Sequence, residues 1–331
     1  MRFYFAPMEG ITGYPFRNAF QQCFPGIDRF YTPFLSANDT FSFTTREIRD
    51  TDPELNKVPE LVPQIITNNA EMFVWAIEEM VRLGYREVNL NLGCPSGTVV
   101  AKGKGSGMLR STERLDEFLE NTFEFLERRG ISYDPCGKAD VDKPHVNISV
   151  KTRIGIHDAT EAEYLIPVYN RYPLNDVIIH SRVQKEFYRG EIHYDVFREF
   201  IESCKHHLVY NGDIFTKADF EKVTGLFPEI DTFMLGRGLL INPSLLREIN
   251  GGAGATLDEL KHFHEVLIEN YRPEMGSDRN LLYKVKEYWS WLSRSFSGSE
   301  KYMKEIHKAK TLPEYKSAVR NLMANCKLEI Q

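Results

Sequence analysis

Over its first 250 positions the chain alternates short apolar runs with longer, more polar segments. The runs are Phe3-Tyr4-Phe5-Ala6, Phe30-Tyr31-Thr32-Pro33, Leu61-Val62-Pro63-Gln64-Ile65-Ile66, Val88-Asn89-Leu90-Asn91-Leu92, Val146-Asn147-Ile148-Ser149-Val150-Lys151, Val177-Ile178-Ile179-His180, Leu208-Val209-Tyr210-Asn211 and Phe233-Met234-Leu235. Their length, their β-branched and aromatic content and the turns that stop them predict strands. Residues 12–22, 70–83, 112–129, 160–172, 194–205 and 217–226 read as helices. In 70–83, for instance, Phe73, Ile77, Met80 and Val81 recur at helical period, and Gly84 stands at the C-cap position. Residues 97–108, rich in Gly and Lys, and 130–144, of turn composition, read as loops.

Eight strands mostly alternating with helices predict a (β/α)8 TIM barrel. A doubly wound open sheet is the competitor, but no G-x-G-x-x-G follows the first strand. After Asn250 the pattern changes. Gly251-Gly252-Ala253-Gly254 has linker composition, and Thr256-Leu257-Asp258-Glu259 has the form of a capping box. Leu281, Leu282, Val285, Tyr288, Trp289, Leu292 and Phe296 then recur at helical spacing, with further helices over 300–310 and 313–327 and no strand signal. The expected division is a catalytic barrel at 1–250 and a small all-helical domain at 255–331.

Charge adds a second contrast. The 331-residue chain carries a net charge of −6, yet residues 279–331 hold eleven Lys and Arg against five Glu. A basic tail on an acidic body fits an anionic polymer partner; a solvated helical surface accounts for it equally well. No run approaches the roughly 20 apolar residues of a membrane span, and Pro7 interrupts the N-terminus too early for a signal peptide. The five cysteines are scattered without a C-x-x-C pair, which argues against a zinc site or disulfide scaffold. A metal-free, cytoplasmic monomer is expected.

In a barrel the carboxyl ends of all strands share one face, so their terminal residues form one candidate site. Asn211-Gly212-Asp213 and Gly236-Arg237-Gly238 follow strands seven and eight, where barrels commonly hold a phosphate. Lys151 lies on the inward side of its strand and calls for an anionic or electron-rich ligand; a reduced flavin and a Schiff-base aldehyde both qualify. Gln64 is either an amide for a heterocycle edge or a satisfied polar residue beside Pro63. His180 is either a cap or a donor to a ligand. Cys94, at a Gly-Cys-Pro turn, can be a buried structural thiol, a nucleophile, or a general acid that needs only to stay protonated.

Six segments carry a resemblance. Ala6-Pro7-Met8-Glu9-Gly10-Ile11-Thr12, Asn91-Leu92-Gly93-Cys94-Pro95-Ser96, Val150-Lys151-Thr152-Arg153-Ile154-Gly155, Ile179-His180-Ser181-Arg182, Tyr210-Asn211-Gly212-Asp213-Ile214 and Leu235-Gly236-Arg237-Gly238 occur in an order that resembles the tRNA-dihydrouridine synthases. The resemblance spans nearly the whole chain and implies a flavoprotein that reduces the C5–C6 double bond of uridine in tRNA. It implies FMN held by Pro7, Met8, Glu9, Gln64, Lys151, His180, Asn211, Gly212, Asp213, Gly236 and Arg237. It further implies NADPH (or NADH) as reductant, Cys94 as proton donor to uracil C5, and Asn91, Arg182 and Lys102 on the substrate side. Two features depart from the family: the length of 130–144, with Cys136, and the lysines of the 97–104 loop. The rivals are an FMN barrel acting on a free pyrimidine or enone, a non-catalytic tRNA-binding protein, and an aldolase-type enzyme using Lys151.

Overall fold

The computed structural model describes residues 1–133 and 144–330. Ten strand segments form one curled parallel sheet. They amount to eight strands: β1 (Arg2–Phe5), β2 (Arg29–Tyr31 and Leu35–Ser36), β3 (Leu61–Val62 and Gln64–Ile66), β4 (Glu87–Leu92), β5 (Asn147–Arg153), β6 (Asp176–His180), β7 (His207–Asn211) and β8 (Thr232–Leu235). β8 pairs with β1, and β2 with β3, so the sheet closes on itself as the expected barrel.

Prolines explain the two split strands. Pro33 and Pro63 lack the N–H that a ladder needs, and the Thr32 hydroxyl fills in by accepting the Gln64 N–H at 2.9 Å. The register moves from Tyr31↔Val62 to Leu35↔Ile65, so β2 carries one residue more than β3 across this break, a bulge. Alternation along each strand sends one set of side chains outward to the helices and the other into the lumen. The lumen is two-sided. Tyr4, Ala6, Tyr31, Val62, Ile178, Val209 and Met234 form an apolar cluster, whereas Gln64, Asn89, Asn91 and Ser149 line up as a buried polar column.

Around the barrel lie α1 (Tyr14–Cys23), α2 (Thr45–Thr51), α3 (Ala70–Arg82), α4 (Thr112–Arg128), α5 (Ala162–Tyr169), α6 (Tyr194–Ser203) and α7 (Lys217–Leu226). α2 was not expected; it is too short for an apolar period and rests on the Thr44/Glu47 capping box. The 97–108 stretch is not an open loop: it holds a helical turn, Gly97–Val100, and a 3-10 turn, Gly105–Arg110. Gly105 adopts φ +57°, and a Cβ there would lie 2.9 Å from the Cys94 carbonyl oxygen, so this fold against the Cys94 turn requires glycine. At the base of the 130–144 segment the Ser132 N–H donates to Pro144 O and the Val146 N–H to Ser132 O. The rest of it, with Cys136, lies outside the described residues.

After two short helices, α8 (Arg237–Ile241) and α9 (Leu245–Ile249), come α10 (Leu257–Met275), α11 (Asp278–Leu292), α12 (Glu300–Lys308) and α13 (Leu312–Asn325). The capping box at Thr256/Glu259 forms as the sequence predicts. The absence of strands does not hold: Phe296–Ser297 pairs antiparallel with Lys327–Leu328, a ladder too short to leave a pattern. The helices join the barrel through α1. Phe263 meets Phe16, Phe20 and Phe24 at 6.1, 6.1 and 5.4 Å, all edge-on. Tyr271 Oη donates to the Ile11 carbonyl at 3.0 Å. The core is therefore continuous from barrel to helices.

Candidate active site

A cavity opens at the carboxyl ends of the strands, enclosing about 890 Å³ when the open solvent at its mouth is counted. Pro7, Met8 and Glu9 line it after β1, Gln64 on β3, Asn91 and Cys94 at β4, Lys151 and Arg153 on β5, and His180 at the end of β6. Asn211, Gly212 and Asp213 after β7 and Gly236 and Arg237 after β8 complete the ring. Every residue expected at the cofactor is thus brought to one cavity, with Cys94 and Asn91. Arg182 and Lys102 are not among its lining residues. Arg182 is buried behind it, donating to Asp213 and to the Gly190 carbonyl, and Lys102 is exposed on the 97–110 segment.

The Cys94 turn is held from two sides. Asn91 Oδ1 accepts the Gly93 and Cys94 N–H groups at 3.1 and 2.9 Å. The Cys94 carbonyl accepts the Ser106 N–H at 3.1 Å and the Ser106 hydroxyl at 2.8 Å. Burial pushes the half-buried thiol above its ordinary value, and the Ser96 N–H only partly opposes this. A thiol so placed stays protonated at neutral pH, which suits a proton donor better than a nucleophile.

The wall beside this turn is cationic. Burial, then Arg153, push Lys151 down to about 7, with Cys94 opposing. Burial, followed by Arg153 and Lys151, holds His180 well below its usual range, so it stays neutral. Burial works against an ionised Asp213, but ion pairs with Arg182 and Arg237 outweigh it and hold the carboxyl below the usual range. The other lining carboxylate, Glu9, is exposed and paired with Arg46. Arg153, Arg237 and a partly protonated Lys151 stand against two carboxylates that are both already paired, and the cavity fits an anionic group.

A profile of the family described as dihydrouridine synthase (Dus) matches residues 4–327. The chain belongs to the dihydrouridine synthase family. Forming dihydrouridine adds two hydrogens across a carbon–carbon double bond, so the chain is an oxidoreductase. A relative from Neisseria meningitidis serogroup B, "tRNA-dihydrouridine(16) synthase", is 23% identical over 99% of this chain and 96% of its own length. "tRNA-dihydrouridine synthase B" of Pseudomonas putida is 24% identical over 80% and 74%. A "Probable tRNA-dihydrouridine synthase" of Staphylococcus aureus is 26% identical over 82% and 79%. Among solved structures, morphinone reductase superposes with a TM-score of 0.52 over 79% of this chain and 88% of its own, at 13% identity. Histamine dehydrogenase from Rhizobium sp. 4-9 gives 0.54 over 90% and 51%, at 10% identity. At such identities the two share the fold alone.

Arg153, which the strand-end rule groups with Lys151, and Tyr188, which nothing in the sequence singles out, also line the cavity. Arg153 is fully buried; its Nε donates to the Gly93 carbonyl at 2.9 Å, and its terminal nitrogens to Val183 at 3.0 Å and Phe187 at 2.7 Å. It thereby ties the Cys94 turn to the loop after β6. Its grouping with Lys151 has a simple cause: Arg153 is two residues beyond Lys151, on the same face of β5. Tyr188 on that loop stacks on His180 at 6.0 Å, with Arg237 and Arg153 over its ring at 4.7 and 5.4 Å. Nothing in its local sequence marks it, because Phe187, at φ +51°, sets its direction.

Proposed function

We propose that this chain is a tRNA-dihydrouridine synthase that uses FMN and NADPH, with Cys94 as the proton donor. The observation that carries the proposal is the Cys94 thiol beside Lys151 and Arg153 in one cavity of a dihydrouridine synthase fold, with burial favouring its protonated form. When bound, FMN would supply hydride to uracil C6, with NADPH as the reductant. Arg237, with the turns at Asn211-Gly212-Asp213 and Gly236, binds the phosphate. Lys151, Gln64 and His180 would hold the ring system, Pro7, Met8 and Glu9 the β1 side, and Lys151 would stabilise negative charge there. Cys94 releases its proton to uracil C5, and Asn91 orients the uracil while holding the Cys94 turn.

The uridine must leave its stack to reach such a cavity. The division into a catalytic barrel at 1–250 and a tRNA-binding helical part at 255–331 follows from that need. Lys301, Lys304 and Lys308 on α12 and Lys316 and Arg320 on α13 are exposed and can contact phosphates. Lys286 is already committed to the His307 and Ala309 carbonyls. Arg182 acts through Asp213, and Lys102 reaches tRNA from the rim. The low pKa of Lys151 also suits a Schiff base, and borohydride separates the two: it should trap no substrate on Lys151. The direct test incubates the purified protein with FMN, NADPH and unmodified tRNA and maps dihydrouridine by mass. Formation in tRNA but not from free uracil is expected; turnover of the free base would sink the tRNA reading.

A further inference from the structure

Glu87, Asn89 and Asn91 occupy alternate positions of β4 and share its inward face. They belong to one unbroken chain of buried side-chain hydrogen bonds. Asn91 Nδ2 donates to Gln64 Oε1 at 2.7 Å, and Gln64 Nε2 to Asn89 Oδ1 at 2.8 Å. Asn89 Nδ2 donates to Ser149 Oγ at 2.9 Å, and the Ser149 hydroxyl to Glu87 Oε1 at 2.7 Å. The chain spans about 13 Å of strand, from the Cys94 turn to the opposite end of the barrel. All five side chains are buried.

Both ends dictate the same direction. At the top, the Gly93 and Cys94 N–H groups are fixed donors, so Asn91 must turn its oxygen toward them. At the bottom, burial raises the Glu87 carboxyl to about 7 with Arg29 opposing; above that pH the ionised carboxylate only accepts, so Ser149 must donate to it and accept from Asn89. Amide orientations assigned from hydrogen bonding are ambiguous in isolation; here each link is fixed by the next. Asn91 and Gln64 each keep a second amide hydrogen that the chain does not use, and both residues line the cavity.

We propose that Glu87, remote from the reacting atoms, is a positioning residue whose carboxylate orients Ser149, Asn89, Gln64 and Asn91 and thereby holds the Cys94 turn. No role was expected of Glu87, Asn89 or Ser149 from sequence, and the inference deepens the proposed function above, on which its relevance to catalysis rests. Glu87 Oε2 faces Arg29 NH1 and Asn175 Nδ2, both donors at 2.9 Å, and Arg29 also bridges to Asp176 and Glu60. In Glu87→Gln the amide oxygen therefore takes the Oε2 side and the NH2 turns to Ser149. To keep its own hydrogen paired Ser149 must then donate to Asn89, each amide reverses in turn, and Asn91 presents NH2 to the Gly93 and Cys94 N–H groups. Donor then faces donor, and the turn loosens.

The test is the alkylation rate of Cys94 in the purified full chain, resolved from Cys23, Cys136, Cys204 and Cys326 by peptide mass mapping. Glu87→Gln is expected to raise the rate about tenfold at fixed pH, the order of one lost hydrogen bond. Ser149→Ala should do the same, and Ser149→Thr, which keeps a hydroxyl, should restore the slow rate. Glu87→Gln with Ser149→Ala should exceed neither alone, because the chain is already cut. Val88→Ala, on the same strand but in the core cluster that backs on the helices, controls for general loosening and should leave the rate unchanged. An unchanged rate in Glu87→Gln, additive effects, or an equal rise in Val88→Ala overturns the proposal. If Glu87→Gln does not fold, Ser149→Ala and its Thr rescue decide alone. Alkylation needs neither FMN nor tRNA, so a chain with this coupling but no dihydrouridine formation would keep the relay and lose the proposed function.

Discussion

The two mouths of the barrel hold similar residues in opposite balance. At the amino-terminal mouth Arg29 meets Glu60, Glu87 and Asp176 at 2.9, 2.9 and 3.2 Å. His207 joins Asp176 to Asp231 at 2.8 and 3.0 Å, and the Asp176 hydrogen bond is the main force raising its pKa. Cations there are matched by carboxylates. At the carboxyl-terminal mouth Lys151 has no carboxylate in ion-pair distance among the described residues, Arg153 is spent on backbone carbonyls, and Asp213 is shared by two arginines. Matched charge builds a wall; unmatched charge costs stability and leaves the site ready for an anion.

Five results would break or sharpen this contrast. Cys94→Ala should cut tRNA turnover by about 10²–10⁴-fold, the range for a positioned proton donor, while FMN still binds and is still reduced by NADPH; rapid kinetics of the two half-reactions checks both. Arg29→Met strands Glu87 without its cation and leaves Asp176 only His207, and urea unfolding should show a loss of about 3–5 kcal/mol. Lys151→Met should weaken FMN binding by about ten- to hundredfold by flavin fluorescence, yet leave the cofactor-free protein as stable as before or slightly more so. A destabilised Lys151→Met protein would place that lysine with the structural charges of the other mouth.

The fourth result concerns pH. The fold lowers the pKa of Lys151 below its unfolded value, so the native chain holds that proton less tightly. The contribution of the neutral amine to stability is complete above the unfolded value and is lost as pH falls through about 7. The stability advantage of Lys151→Met over the parent should therefore grow as pH falls from the unfolded value to about 7 and level off below it, measured by unfolding across the range. Salt gives the smallest effect: replacing Lys301 and Lys304 by Ala should reduce the slope of tRNA affinity against salt by about one unit for each phosphate no longer neutralised.

The barrel was legible because apolar runs and Gly or Pro stops repeat with little ambiguity, and the strand-end rule then gathered Lys151, His180, Asn211, Asp213 and Arg237 into one cavity. Proximity along the chain did not fix the rest. Lys102 follows Cys94 closely, yet the Gly97–Val100 turn leaves it exposed on the rim. Arg182 shares a motif with His180 but turns to Asp213 and Gly190. Gln64, read as either a ligand contact or a satisfied polar residue, is at once a cavity residue and a link between Asn91 and Asn89. The period of two marks the inward face of β4, but only the closed sheet sets Asn89 against Ser149 and Gln64. Tyr188 depends on backbone geometry at Phe187, which composition does not encode.

The account stands on a thiol that donates a proton beside a cationic cofactor site. Its most direct measurement is mass mapping of dihydrouridine in tRNA from cells lacking this protein, complemented with the parent chain or with Cys94→Ala. The account predicts that the parent restores dihydrouridine at a defined position and that Cys94→Ala, present at equal level and carrying FMN, does not. Equal restoration by both would contradict it.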